Sequence, residues 1–189
     1  DGVSFAYDDR RVLSDVDFHL SAGKTLGIVG RTGGGKTTIT RLISRLYQPG
    51  SGVIRLGGVA LDTVSEESLR HHVGVVTQDV QLFRATIRDN LTFFDETVPD
   101  SRLHEVLEEL GLTEWLATMS DGLDTRLEAG GAGLSAGQAQ LLAFTRIFLE
   151  DPGVVVLDEA SSRLDPATEA LIERAVDHLL ECRTGIVIG

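Results

Sequence analysis

Short runs of β-branched and apolar residues recur along the chain at Val3 to Tyr7, Val16 to Leu20, Thr25 to Val29, Val73 to Thr77, Val154 to Leu157 and Thr184 to Ile188. Several are apolar at every position rather than at alternate ones, the pattern of strands covered on both faces. Helical patterns separate the later runs, which predicts an α/β core, and the early hairpin-like runs before the first glycine-rich turn predict a mixed sheet. Between Gln78 and Gly133 the period becomes helical, as in Leu103, Val106, Leu107 and Leu110, with Asp100 or Ser101 placed to cap. This reads as a small helical subdomain inserted into the core. A single domain is expected, with residues 1–78 and 151–189 as core and 79–150 as subdomain, and there is no internal repeat or low-complexity tract.

Composition narrows the class. The 189 residues fit one domain, given roughly 150 residues per domain. Hydrophobic residues at 42% and charged residues at 24% match an ordinary globular protein. Acidic residues outnumber basic ones 29 to 17, for a net charge of -12 without any basic run. That argues against a nucleic-acid partner, which needs a clustered basic face. It does not argue against a bound nucleotide, whose phosphates can be held locally by backbone N–H groups, one lysine and Mg²⁺. Cys182 is the only cysteine, so no intrachain disulfide forms and a reducing compartment fits. Every apolar run is far shorter than the ~20 residues that span a bilayer, and no signal-peptide pattern opens the chain. Action at a membrane would therefore need other segments or chains to do the spanning. With Asp1 at or just before one strand and Gly189 at the end of another, the sequence is expected to be a fragment.

Gly30-Arg31-Thr32-Gly33-Gly34-Gly35-Lys36-Thr37 follows the strand ending at Val29 and precedes a helical stripe of Ile39, Leu42, Ile43 and Leu46. This is the G-x-x-x-x-G-K-[ST] pattern in the strand-then-helix setting its chemistry requires. The glycines let backbone N–H groups approach phosphate oxygens, and the helix start adds its positive dipole end. Lys36 is placed to bridge the β- and γ-phosphates, and Thr37 to ligate Mg²⁺. A second chemical signal is the strand Val154 to Leu157, which ends in Asp158 and Glu159. Ligands of open α/β sheets sit at the carboxyl ends of strands. Asp158 is then a Mg²⁺ holder and Glu159 the base that orients and deprotonates water. Taken alone, two such acids could equally form a helix-capping turn.

Leu134-Ser135-Ala136-Gly137-Gln138 follows the glycine-rich Gly130 to Gly133 and opens a helix through Leu141, Leu142, Phe144 and Ile147. Ser135 is a good N-cap, and the open N–H groups behind it make a second anion site. Two such helix ends serve one γ-phosphate only if they lie side by side. Their separation in sequence leaves open that the second serves a partner chain.

Taken together, these ordered motifs resemble the ABC ATPase family, whose signature reads L-S-G-G-Q, and the resemblance covers essentially the whole chain. It implies an α/β fold with a P-loop NTPase (RecA-like) core, mixed N-terminal β-strands and an inserted α-helical signature subdomain. It further implies that ATP and Mg²⁺ are bound by Gly30, Thr32, Gly33, Gly34, Gly35, Lys36, Thr37 and Thr38, with Thr37, Gln78 and Asp158 as metal holders. Glu159 and Gln78 take the catalytic roles. Ser135, Gly137 and Gln138 meet the nucleotide of a second ABC ATPase domain in a head-to-tail dimer, and Asp165 crosses that interface. Tyr7 matches the aromatic that stacks on adenine, although by itself it would be an edge-packing aromatic.

Gln78 to Phe83 followed by Thr86 to Leu91 resembles the exporter form, in which Phe83 and its neighbours, between Gln78 and Asn90, receive the coupling helices of a transmembrane domain. This implies ATP-driven transport from the cytoplasmic face of the plasma membrane, with no nucleic acid involved. The other readings are a non-hydrolysing half of a heterodimeric transporter and a soluble relative. Long coiled-coil relatives carry sustained heptads, which are absent here. The sequence departs from the family pattern in three places. Ala136 replaces a signature glycine, Ala139 stands where a basic residue is common, and Ala129 stands where a glutamate touches the partner. None of His19, His71, His72, His104 and His178 matches the family's switch histidine.

Overall fold

Phe5 and Leu13 face each other across an antiparallel pair, β1 (Val3–Tyr7) and β2 (Arg10–Val16), and both are buried with Val3 and Leu42. The computed structural model describes residues 1–77, 79–131, 133–158, 166–181 and 183–189. β1 lies where the apolar run places it. β2 replaces the strand expected at Val16 to Leu20, of which only Val16 is extended into a ladder. The reason is solvent: Arg10, Arg11, Ser14 and Asp15 are exposed and Leu13 alone is fully buried, so β2 lacks an apolar run.

After β2 come β3 (Thr25–Ile28), helix α1 (Lys36–Ile43), a short hairpin of β4 (Arg55–Leu56) and β5 (Val59–Ala60), helix α2 (Glu66–His72) and β6 (Val73–Val76). Ser65 caps α2 by accepting from the Ser68 N–H at 3.1 Å. Two further strands, β7 (Val154–Asp158) and β8 (Thr184–Ile188), join the sheet in the order β3-β8-β7-β6, and β8 is parallel to both of its neighbours. The N-terminal pair makes a two-stranded sheet of its own. Val155, Val156 and Leu157 are buried, which accounts for the unbroken apolar run of β7. Ile43 of α1 joins Val156, Ile186 and Ile188 in one core cluster. Ile28 and Asp158 both pair with Ile188, from opposite sides. The ends of β3 and β7 are therefore level on one sheet edge, two strand spacings or about 9.5 Å apart.

The chain divides into two units, the first built on Asp1–Val75 with β7 and β8. The second contains the helices α3 (Ile87–Thr92), α4 (Asp100–Glu109), α5 (Thr113–Ala117), α6 (Ala136–Glu150) and α7 (Pro166–Glu181). Leu103, Val106, Leu107 and Leu110 are buried as their spacing requires. The residue at the cap of α4 is Pro99 rather than Asp100 or Ser101, and Asp100 instead accepts from Arg88, which also bonds Asp124. α6 packs against α3, α4 and α7, and its Leu141, Leu142 and Phe144 are fully buried. Phe144→Ala should therefore destabilise this unit by about 3–5 kcal/mol, read as a lower midpoint in urea unfolding. Among the described residues no helix is long and apolar enough to cross a membrane.

Candidate functional site

β3 leads directly into the glycine loop, and α1 begins at Lys36. Gly35 is the cap residue, in the left-handed region at φ 86 with no side chain to bond the helix N–H groups. A Cβ there would lie 2.8 Å from Leu13 Cδ2 and 3.1 Å from Val12 Cγ1, so a side chain would both press on β2 and strain the left-handed backbone that glycine adopts freely. The loop folds tightly, with the Gly34 N–H donating to the Arg31 carbonyl at 3.0 Å. Lys36 curls back over it and donates from Nζ to the carbonyls of Gly30 at 2.6 Å and Arg31 at 3.3 Å. Thr32, Gly33, Gly34 and Thr37 are exposed, and Thr38 is buried. The loop thus presents backbone donors and one cation on an open surface, which is the chemistry of polyphosphate binding.

Asp158 ends β7 and is 6% exposed. Thr40 of α1 donates to its Oδ2 at 3.5 Å, which sets the carboxylate against the helix that follows the glycine loop. Thr37 lies three residues before Thr40 and so on the same face of α1. A hydroxyl and a carboxylate are hard oxygen donors of the kind Mg²⁺ prefers. Gln78, Glu159 and Asp165, the other residues singled out from the sequence, lie outside the described residues.

Tyr7 stands beside α1. Its ring meets Phe5 and Tyr47 edge-on at 4.8 and 5.2 Å between centroids. Its hydroxyl shares a hydrogen bond with Thr38 Oγ1 at 3.5 Å and accepts one from Arg41 at 3.1 Å. Burial pushes the phenol up, but the bonds with Thr38 and Arg41 outweigh it and hold the group below its ordinary value. The sequence did not single out Arg41. It lies five residues after Lys36, and only the fold shows that it reaches a strand thirty-four positions away.

The second candidate helix end belongs to the other unit. Ser135 caps α6 through a reciprocal pair of bonds, its Oγ accepting from the Gln138 N–H at 3.1 Å and its own N–H donating to Gln138 Oε1 at 2.9 Å. Gly137 is buried and Ser135 is exposed. In the same unit Phe83, Phe93 and Phe94 form an exposed edge-to-face cluster, with Phe83 5.6 Å from Phe94 and 6.3 Å from Phe93. The sequence pattern singles out Phe83 but neither of the other two rings, nor Arg146, whose guanidinium lies 4.6 Å from the Phe93 centroid. The available signal for Arg146 was a lone charge among Leu142, Phe144, Ile147 and Phe148.

Comparison with known proteins identifies the family and the fold. Residues 13–162 match the family model described as ABC transporter. The chain is 39% identical over 189 residues to a multidrug resistance ABC transporter ATP-binding and permease protein of Lactococcus lactis subsp. cremoris, covering 99% of the chain and 32% of that protein. It is 38% identical over 191 residues to the ATP-dependent lipid A-core flippase of Chromobacterium violaceum, covering 100% of the chain and 33% of that protein. The solved structure of a bacterial Atm1-family ABC exporter with ATP bound superposes with a TM-score of 0.92 at 34% identity, covering 100% of the chain and 34% of the exporter chain. The chain thus spans about a third of the length of the curated relatives it matches. On the phosphate-loop geometry, the parallel sheet and these matches, the chain belongs to the ABC transporter family, as an ATP-binding domain homologous to those of exporters.

Proposed function

We propose that this chain binds ATP with Mg²⁺, hydrolyses it to ADP and phosphate, and as the nucleotide-binding domain of an exporter drives a solute across a membrane. The observation that carries this reading is the sheet edge where Gly30 to Lys36 and Asp158 follow strands level with each other, with Asp158 against α1. Backbone N–H groups of Gly30, Thr32, Gly33 and Gly35, with those of Lys36, Thr37 and Thr38, face the phosphates, the Gly34 N–H holds the loop's turn in this structure, and Lys36 adds the positive charge. Thr37 and Asp158 would hold Mg²⁺, joined by Gln78. Bound there, the ion would supply positive charge against the phosphate oxygens. Glu159 then accepts a proton from the attacking water, while Tyr7 stacks on the adenine.

Ser135, Gly137 and Gln138 meet the nucleotide of a second ABC ATPase domain, identical or different, with Asp165 at the interface. The segment from Gln78 to Asn90 meets the coupling helices of a transmembrane domain at the cytoplasmic face of the plasma membrane. In this reading residues 1–78 and 151–189 form the nucleotide core and 79–150 the helical signature subdomain. The relatives named as a multidrug resistance transporter and as a flippase, and the solved Atm1-family exporter, support it. Calorimetry with ATP, with and without Mg²⁺, together with phosphate release tests the binding and hydrolysis.

Tyr7 gives a finer test. Tyr7→Ala should weaken ATP binding by about 1–3 kcal/mol if the ring stacks on the base. Inorganic triphosphate has no base, so its binding should not change. Equal losses for the two ligands would remove Tyr7 from the base site.

A further inference from the structure

Arg146 is 8% exposed, and among the described residues it forms no ion pair with a carboxylate. Its donors go instead to Gln81 in the loop before α3 and to Asn90 within α3. Nε donates to the Asn90 carbonyl at 2.7 Å, one terminal nitrogen to the Gln81 carbonyl at 3.0 Å and the other to Asn90 Oδ1 at 3.4 Å. The guanidinium also lies over the Phe93 ring at 4.6 Å. Burial pulls this group below its ordinary value, opposed by Glu150. A buried cation without its acceptors is costly, so the carbonyls and the cation must move together.

Asn90, at 0% exposure, extends the network. Its Oδ1 accepts from the Phe83 N–H at 2.8 Å, and its Nδ2 donates to the carbonyls of Phe83 at 3.1 Å and Thr86 at 2.9 Å. One cation therefore ties down the segment, α3 included, that carries Phe83 before the helix and Phe93 and Phe94 just after it. The loop's first residues are held separately. The Gly130 N–H donates to the Leu82 carbonyl at 3.1 Å, and a Cβ on Gly131 would lie 2.7 Å from Leu82 Cδ1. Arg146 and Ser135 share one unbroken helix, eleven residues or about 16 Å apart along its axis. A displacement at the Ser135 end thus reaches the Arg146 acceptors through a rod rather than through a flexible chain.

We propose that Arg146 is a positioning residue that transmits the nucleotide state of the Ser135 end of α6 to the aromatic surface of Phe83, Phe93 and Phe94. This rests on the reading that Ser135 meets ATP. Coupling of this kind works in both directions, so an occupant of the aromatic surface would in turn bias the α6 end. Arginine suits the task because its planar fork holds acceptors in fixed directions and stacks on a ring. Lysine offers a point charge on a flexible stem.

The test is hydrogen exchange on the full-length protein in lipid nanodiscs, with and without AMP-PNP and Mg²⁺, comparing wild type with Arg146→Lys. In wild type, nucleotide should slow exchange both at residues 135–140 and at 81–94. In Arg146→Lys the response at 135–140 should persist while the response at 81–94 is lost. A retained response at 81–94 overturns the proposal. So does a variant in which both responses vanish and exchange rises throughout α6 without nucleotide, since that marks a purely structural role. A wild type that responds at 135–140 but not at 81–94 overturns it as well. A wild type silent at 135–140 defeats the underlying reading of Ser135 instead. Should Arg146→Lys fail to fold, Phe93→Leu decides, because this half-exposed ring is not needed for the core. It should shrink the response at 81–94 and spare that at 135–140, and an undiminished response at 81–94 overturns the proposal.

Discussion

Glu159→Gln should keep ATP and Mg²⁺ bound while turnover falls ~10²–10⁴-fold, the usual contribution of a positioned general base. The amide keeps the size of the side chain and removes its ability to accept a proton. Binding survives because Lys36, Thr37 and Asp158 are untouched. Retained ATP would also keep two signature helix ends engaged, so the variant should accumulate as an ATP-bound dimer. Phosphate release with light scattering, on full-length wild type and variant in ATP and Mg²⁺, reads both effects. Equally slow hydrolysis in both proteins, with nucleotide still bound, would defeat the role of Glu159. It would instead indicate the non-hydrolysing half of an asymmetric transporter.

Lys36→Ala should remove most ATP affinity and, with it, turnover. The ammonium rests on the carbonyls of Gly30 and Arg31, within the loop proposed to face the phosphates. No backbone N–H can replace its full charge, and charge-assisted bonds to phosphate are about twice as strong as neutral ones. Calorimetry should show the loss while the unfolding midpoint stays close to wild type, because the side chain is only half-buried and contributes little to the core. Unchanged nucleotide binding would count against this loop as the phosphate site.

What the sequence disclosed depended on which forces leave a local trace. β7 and β8 are buried on both faces, so their apolar runs mark them outright. β2 has one wet face and two arginines at its start, and it gave no run to read. Likewise the α4 stripe showed at Leu103, Val106 and Leu107, but its cap did not, because Pro99 bonds nothing through its side chain. The glycine loop was legible from residue types alone, since phosphate chemistry restricts them so narrowly. Contacts that span the chain were not. Thr40 reaches Asp158 across 118 positions and Arg146 reaches Asn90 across 56. The aromatic cluster needed a chain reversal at Phe93 and Phe94, both at positive φ (51 and 67), which large side chains rarely adopt and no propensity announces. Gln78, Glu159 and Asp165 rest on residue type and order within the motifs.

The fit of Gly35 against Leu13 and Val12 bears on how such a domain can diversify. The hairpin is clamped to the phosphate loop through β2, while Tyr7 sits at its other end, paired with Arg10 across the two-residue turn Asp8 and Asp9. That turn is exposed, and Asp8 already takes a left-handed conformation at φ 50. If Tyr7 meets the base as proposed, insertions or exchanges there would change that contact without disturbing the clamp, whereas a side chain at position 35 would strain the left-handed backbone and press on Leu13 and Val12. In the proposed reading, base preference and phosphate grip would be separable traits of one small scaffold, the first set beside an exposed turn and the second at a left-handed glycine where any Cβ is strained.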